Sequence, residues 1–122
     1  MVKILLVDDD RELTQELADM IRAEGFQVDT AASGPEGERM IIRGGYDAAV
    51  IDFKMPGFDG IELLRRLHRR SPGVRIVIMS GSLDIQKKIE DERLQPLVSL
   101  VMQKPFDADL LISHLKHLET PV

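Results

Sequence analysis

Five strand-length runs, separated each time by a stretch with helical period, leave this chain few folds to adopt. The runs are Lys3–Val7, Gln27–Ala31, Ala48–Ile51, Arg75–Met79 and Ser99–Met102. Consecutive apolar side chains, as in "AAVI" (48–51), mark strands covered on both faces. Strict strand–helix alternation implies right-handed crossovers and a parallel sheet with helices on both sides. The expected class is α/β, one domain over residues 1–122 with a core of about 2–118 and no repeat, linker or second domain.

Helix signals fill the intervals. In the first, Leu13, Leu17, Met20 and Ile21 recur at helical spacing, and Gly25 supplies a stop. The second opens at "SGPEGERM", where Ser33 suits a cap and Pro35 a first turn, with Met40, Ile41 and Ile42 on the apolar side. The third follows Asp59 through Ile61, Leu64 and Leu67 to "SPG". A fourth is expected from Asp84 to Leu94, ended by Pro96, and a fifth from near Asp107 with Leu110, Leu111, Leu115 and Leu118. The methionines at 20, 40, 55, 79 and 102 read as core or turn-packing residues.

Several function classes are disfavoured by composition. The net charge of −5 argues against direct nucleic-acid binding, which requires a basic surface. The local exception, "RRLHRR" (65–70), reads as a solvated helix face running into a C-terminus, where cations are favoured. No apolar stretch approaches the ~20 residues of a membrane span, and "MVKILLVDDD" does not read as a signal peptide. The absence of cysteine removes disulfide, thiolate-metal and thiol chemistry and fits a reducing, cytoplasmic compartment.

In an open α/β sheet, ligands bind beyond the carboxyl ends of the strands. The residues at those ends are Asp8, Asp9 and Asp10 after the first strand, Asp52 after the third, Ser80 after the fourth and Gln103-Lys104-Pro105 after the fifth. The second ends in the unremarkable Ala31-Ala32-Ser33. Clustered carboxylates repel one another unless a cation joins them, and oxygen donors without imidazole or thiol favour Mg2+. Asp52 is then a candidate nucleophile for a phosphoryl group, with Lys104 neutralising phosphoryl oxygens and the Ser80 hydroxyl donating to them. No general base is required, which agrees with His68, His114 and His117 all falling on expected helices; they read as surface residues.

Each of these residues also has a bland reading. An Asp before a helix is a good N-cap, but one cap accounts for one Asp of three. Asp52 reads as a loop acid before a turn, Ser80 as an ordinary strand-end residue and Lys104 as a solvated lysine when each is taken alone. Together they form a set.

The segments "ILLVDDD", "VIDFKMPGFDG", "IVIMSG" and "QKPF", in that order, resemble the response-regulator receiver domain of two-component signalling, across essentially the whole chain. The resemblance implies a flavodoxin-like (βα)5 fold with strand order 2-1-3-4-5. It implies Asp52 as phosphoacceptor; Asp8, Asp9, Asp52 and the Lys54 carbonyl as Mg2+ ligands; and Ser80 and Lys104 as phosphoryl-contacting residues. Lys104-Pro105 matches a peptide bond that is cis in many receivers. Lys54 and Ser82 resemble positions that tune hydrolysis.

The implied partners are a histidine kinase or phosphotransfer protein upstream, and a downstream protein or an output domain beyond this sequence. Direct nucleic-acid and membrane contacts are not implied. The chain would be a monomer, or a dimer through helix four, strand five and helix five. The implied activity is a phosphorylation-dependent switch, not an enzyme beyond catalysing its own phosphorylation and dephosphorylation.

Two features depart from the family. Val101 occupies the switch position, three before the lysine, where receivers carry Tyr or Phe, and "LQPLVSL" replaces the usual Gly-Ala lead-in to strand five. One alternative is a pseudo-receiver used only for protein contact, which should have lost the acids or the lysine. A more distant alternative is an aspartate-nucleophile phosphatase of the haloacid-dehalogenase type. That needs D-x-D-x-T/V on strand one, where this chain reads "DDDRELT".

Overall fold

A computed structural model describes residues 2–55, 59–81, 84–104 and 107–119. Pro56 and Gly57 of the expected turn, Ser82, and the Pro105-Phe106 pair lie outside the described residues. The elements are β1 (Lys3–Val7), α1 (Arg11–Arg22), β2 (Gln27–Ala31), α2 (Gly34–Arg43), β3 (Ala48–Asp52), α3 (Gly60–Arg70), β4 (Arg75–Ser80), α4 (Ile85–Asp91), β5 (Leu100–Gln103) and α5 (Ala108–Lys116). The strands form one five-stranded sheet in the order β2-β1-β3-β4-β5, and each recorded pairing is parallel.

Alternation along each strand divides the core in two. Ile4, Leu6, Val50, Val77 and Met79 point to the side covered by α1 and α5, where Leu17, Ile21, Leu111 and Leu115 meet them. Leu5, Val7, Ala49, Ile51 and Ile78 point to the other side, against Ile41, Leu63, Leu64, Leu67 and Ile89 of α2, α3 and α4. On that side α2 lies close to β1, since a Cβ built on Gly37 would come within 2.7 Å of a Val7 methyl. A residue without a side chain is what allows the contact.

Helix starts follow their caps. Asp10, Ser33, Asp59 and Asp107 each accept a backbone N–H of the following first turn. Pro35 sits in the first turn of α2, where its missing N–H costs nothing.

Some expectations need correction. Met20 and Leu110 are 45% and 56% exposed, so neither is a core residue. The buried stripe of α1 is Thr14, Leu17, Ala18 and Ile21, with Leu13 only half-buried. In α5 Ile112 is buried where Leu110 was expected. β3 and β4 each run one residue further, taking in Asp52 and Ser80, while β5 is shifted by one to Leu100–Gln103.

The fourth helix is the largest difference, stopping at Asp91 instead of Leu94. Arg93 takes a left-handed φ of 57° and the Leu94 N–H closes back onto the Ile89 carbonyl at 2.9 Å, a helix-ending geometry usually given to glycine. Pro96 then belongs to a separate 3₁₀ turn, Gln95–Leu97.

His114 is not a plain surface residue. It is half-buried, and its Nε2 shares a 2.7 Å hydrogen bond with Ser99 Oγ that ties α5 to the entry of β5. Burial, then the charges of His117 and Arg75, lower its pKa from the ordinary histidine value. The unfolded chain therefore binds this proton more tightly than the folded one. Stability contributed through His114 is present above about pH 6.5 and is lost as pH falls through the folded-state value. Urea midpoints at about pH 7.5 and about pH 5.5 should differ by less in His114→Gln than in the wild type. Equal differences in the two proteins would remove His114 from the pH dependence.

Candidate functional site

The carboxyl ends of β1, β3, β4 and β5 bring the sequence-predicted side chains to one edge of the sheet. Asp8 follows β1 directly and Asp52 is the last residue of β3; they are 3% and 4% exposed. Ser80 closes β4, one position beyond Met79, the register partner of Asp52, and is buried, whereas Asp9 is exposed. Lys104 follows β5, and its position is set by its own N–H, which donates to the Ser80 carbonyl at 2.8 Å.

The centre of the arrangement is the Lys104 ammonium. Its Nζ donates to Asp8 Oδ2 and to Asp52 Oδ2, each at 3.1 Å. The second oxygen of each acid is held by main chain two residues on. Asp10 N–H reaches Asp8 Oδ1 at 3.0 Å, and Lys54 N–H reaches Asp52 Oδ1 at 2.9 Å. Both buried carboxylates are thereby oriented through both oxygens, as burial of a charge demands. Among the described residues, no buried side-chain N or O atom lacks a partner.

One cation does not balance three acids. Asp8, Asp9 and Asp52 place carboxylate oxygens within 4.8 Å of one another, a set that could hold a metal ion. Burial, reinforced by the Asp52 charge, raises the Asp8 pKa above the ordinary carboxylate value even though Asp8 accepts from Asp10 and Lys104. Burial draws Lys104 down, but its hydrogen bonds to Asp52 and Asp8 outweigh this and leave its pKa raised. The two shifts have different causes, burial for Asp8 and the hydrogen bonds to two carboxylates for Lys104.

The third Asp of "DDD" has a separate task. Asp10 caps α1, its carboxylate accepting from Leu13 N–H at 3.1 Å, so the capping reading and the acidic-cluster reading are both correct, for different residues. The main-chain donors of Asp10 and Lys54 were not anticipated; the signal was an Asp two residues before each, the spacing of an Asx turn. Val101 lies apart from the carboxylates, half-buried and packed with the α2–α3–α4 side of the core. A cavity of about 430 Å3 opens beside Ser80, bordered by Lys54, Gly60 and Lys88. Another of about 290 Å3 lies on the far side of Asp8, bordered by Arg11 and Thr14.

A parallel (βα)5 sheet with three acids and a lysine at its carboxyl edge defines a class, and comparison with known proteins agrees. Residues 4–116 match the family model of the response regulator receiver domain. Sporulation initiation phosphotransferase F of Bacillus subtilis is 33% identical over 107 residues, covering 88% of this chain and 85% of that protein. Transcriptional regulatory protein TcrA of Mycobacterium tuberculosis is 32% identical over 117 residues, which is 96% of this chain but 46% of TcrA. The chain thus spans about half the length of that relative. The crystal structure of the Thermotoga maritima response regulator TrrA, in complex with Mg2+ and BeF, superposes with a TM-score of 0.82 at 25% identity, covering 97% of this chain and 99% of that one.

The chain belongs to the response regulator receiver domain family. Receiver domains are signalling switches of two-component systems and not enzymes in the ordinary sense. No helix among the described residues is long and apolar enough to cross a membrane.

Proposed function

We propose that this chain is a single receiver unit that takes a phosphoryl group onto Asp52 from a phosphohistidine of a sensor kinase or phosphotransfer protein. The observation that carries the reading is the pair of 3.1 Å bonds from Lys104 Nζ to Asp8 and Asp52, with Asp9 beside them. A carboxylate oxygen of Asp52 attacks phosphorus, the phosphorus–nitrogen bond breaks and the donor imidazole leaves, giving an acyl phosphate on Asp52. Lys104 stays at hand to meet a charged oxygen of the transferred group, and the Ser80 hydroxyl donates to another. The Asp10 and Lys54 N–H groups hold the two acids in place throughout.

Asp8, Asp9, Asp52 and the Lys54 carbonyl would hold Mg2+. Three hard oxygen donors on an under-neutralised site suit that ion, and a receiver with Mg2+ and a phosphoryl mimic superposes on this chain. Bound there, Mg2+ would neutralise charge on the acids and on the phosphoryl oxygens. The output is a change in the partner-binding surface, read by a downstream protein or by an output domain beyond this sequence, as in relatives that are transcriptional regulators. The reading places the chain in the cytoplasm, with no direct nucleic-acid or membrane contact, as a monomer or a dimer through α4, β5 and α5.

Incubation with acetyl phosphate and Mg2+ tests this. Intact-mass spectrometry should find a labile phosphoryl adduct on the wild type and none on Asp52→Asn. Equal labelling of both proteins would remove Asp52 from the role, and no labelling of either would favour a contact-only pseudo-receiver.

A further inference from the structure

A third concavity lies at the opposite end of the sheet from the acids, beside the short α4. Seven helical residues extend about 10 Å, against about 20 Å for the six residues of β4, so α4 covers only the carboxyl half of that strand. The remainder is bridged by the 3₁₀ turn Gln95–Leu97. What is left between this turn and the end of α3 is a cavity of about 460 Å3. Its walls include Leu64, Leu67, Val74, Ile76, Leu97 and Val98.

The rim is cationic. Residues 65–75 read RRLHRRSPGVR, five arginines with no acid, on a chain whose net charge is −5. Arg65 and Arg66 are engaged by Glu92, Glu38 and Glu62. Arg69, Arg70 and Arg75 are exposed and make no ion pair among the described residues, and His68 and Arg75 border the cavity itself. The open surface of the cavity is mostly polar, and its partly exposed apolar groups are Val74, Leu97 and Val98, because Leu64, Leu67 and Ile76 are almost wholly buried.

We propose that this groove docks an acidic segment of a partner protein, an extended or helical peptide that sets one aliphatic or aromatic side chain against the partly exposed Val74 and Leu97. Its Asp or Glu residues face Arg69, Arg70 and Arg75. Charge selects the occupant. A second copy of this chain in a two-fold contact would set the same arginines against each other, and nucleic acid, a dense polyanion, is disfavoured by the chain's net charge of −5. The groove lies on the end of the sheet away from Asp52, so a partner held there leaves the phosphoryl site open to a donor.

The test uses the unphosphorylated full chain without Mg2+, so its outcome is separate from that of the phosphotransfer reading. Isotope-labelled protein is titrated with a panel of about ten-residue peptides that pair one Leu, Ile or Phe with flanking Asp and Glu, and with the same peptides carrying Lys in place of the acids. Expected are amide shifts confined to Val74, Arg75, Leu97, Val98 and Ser99, from the acidic peptides only. Arg75→Glu should weaken binding about tenfold or more and raise its salt sensitivity no further. Because Arg75 is exposed and its effect on His114 is confined to acid pH, this variant should melt as the wild type does at about pH 7.5.

Several results would overturn the proposal: no shifts with any acidic peptide, equal binding of the Lys peptides, or an unaffected Arg75→Glu. Shifts at this groove from random duplex DNA but not from peptides would overturn it as well, and so would dimerisation through the groove.

Discussion

Lys104→Ala is expected to lower the unfolding free energy by about 2–4 kcal/mol in Mg2+-free urea titrations. The side chain is three-quarters buried and bonds two carboxylates that are themselves almost wholly buried. Removing it leaves Asp8 and Asp52 facing each other in a low-dielectric edge with no cation between them. A second substitution separates lost attraction from released repulsion. Asp8→Asn in the Lys104→Ala background should recover a large part of the loss, because one of the two opposed charges has gone. If the double variant is less stable than Lys104→Ala by the full effect of Asp8→Asn alone, the two residues are not coupled. The 3.1 Å contacts would then carry no energy. The same variant should also slow phosphoryl uptake by about 10²–10³, since the group that meets the developing charge is absent.

Mg2+ should act in the opposite direction. With the ion at about 100 times its Kd, stability should rise by about 2.7 kcal/mol, which for a chain of this size moves Tm by roughly 10 °C. Asp9 is the clean place to test it. It is exposed and takes part in none of the bonds that hold Asp8 and Asp52, so Asp9→Asn should leave the metal-free melt nearly unchanged while removing most of the Mg2+ response. A wild-type Tm that does not respond to millimolar Mg2+ would sink the metal site, whatever the phosphorylation assay gives.

Much of this site was legible because its residues are placed by strand ends, and strand ends are marked in sequence by the switch from apolar to polar. "LLVDDD" and "AVIDF" put their first acid at the last paired position or just beyond it, and both are buried there. The three-fold Asp was legible only as a group. Which one caps α1 is settled by φ and ψ at Asp10, an extended residue whose carboxylate turns back to Leu13.

Helical period was a weaker guide. It recruited Met20 and Leu110 because both are apolar and suitably spaced, yet each lies at the margin of its stripe, where smaller shifts in helix rotation decide exposure. α4 was least legible. Its end is set by a left-handed arginine, a conformation that sequence signals reserve for glycine or asparagine.

The distance along the chain between Lys104 and its partners also bears on how the protein assembles. Lys104 comes 96 positions after Asp8 and 52 after Asp52, and it follows an edge strand bonded only to β4. The pairing of β1 with β3 brings the two acids together, whereas their countercharge arrives from the strand added at the edge of the sheet. The docking of β5 is therefore favoured by the ion pairs of the site as well as by its own few ladder bonds. Folding of the edge and completion of the site become one event.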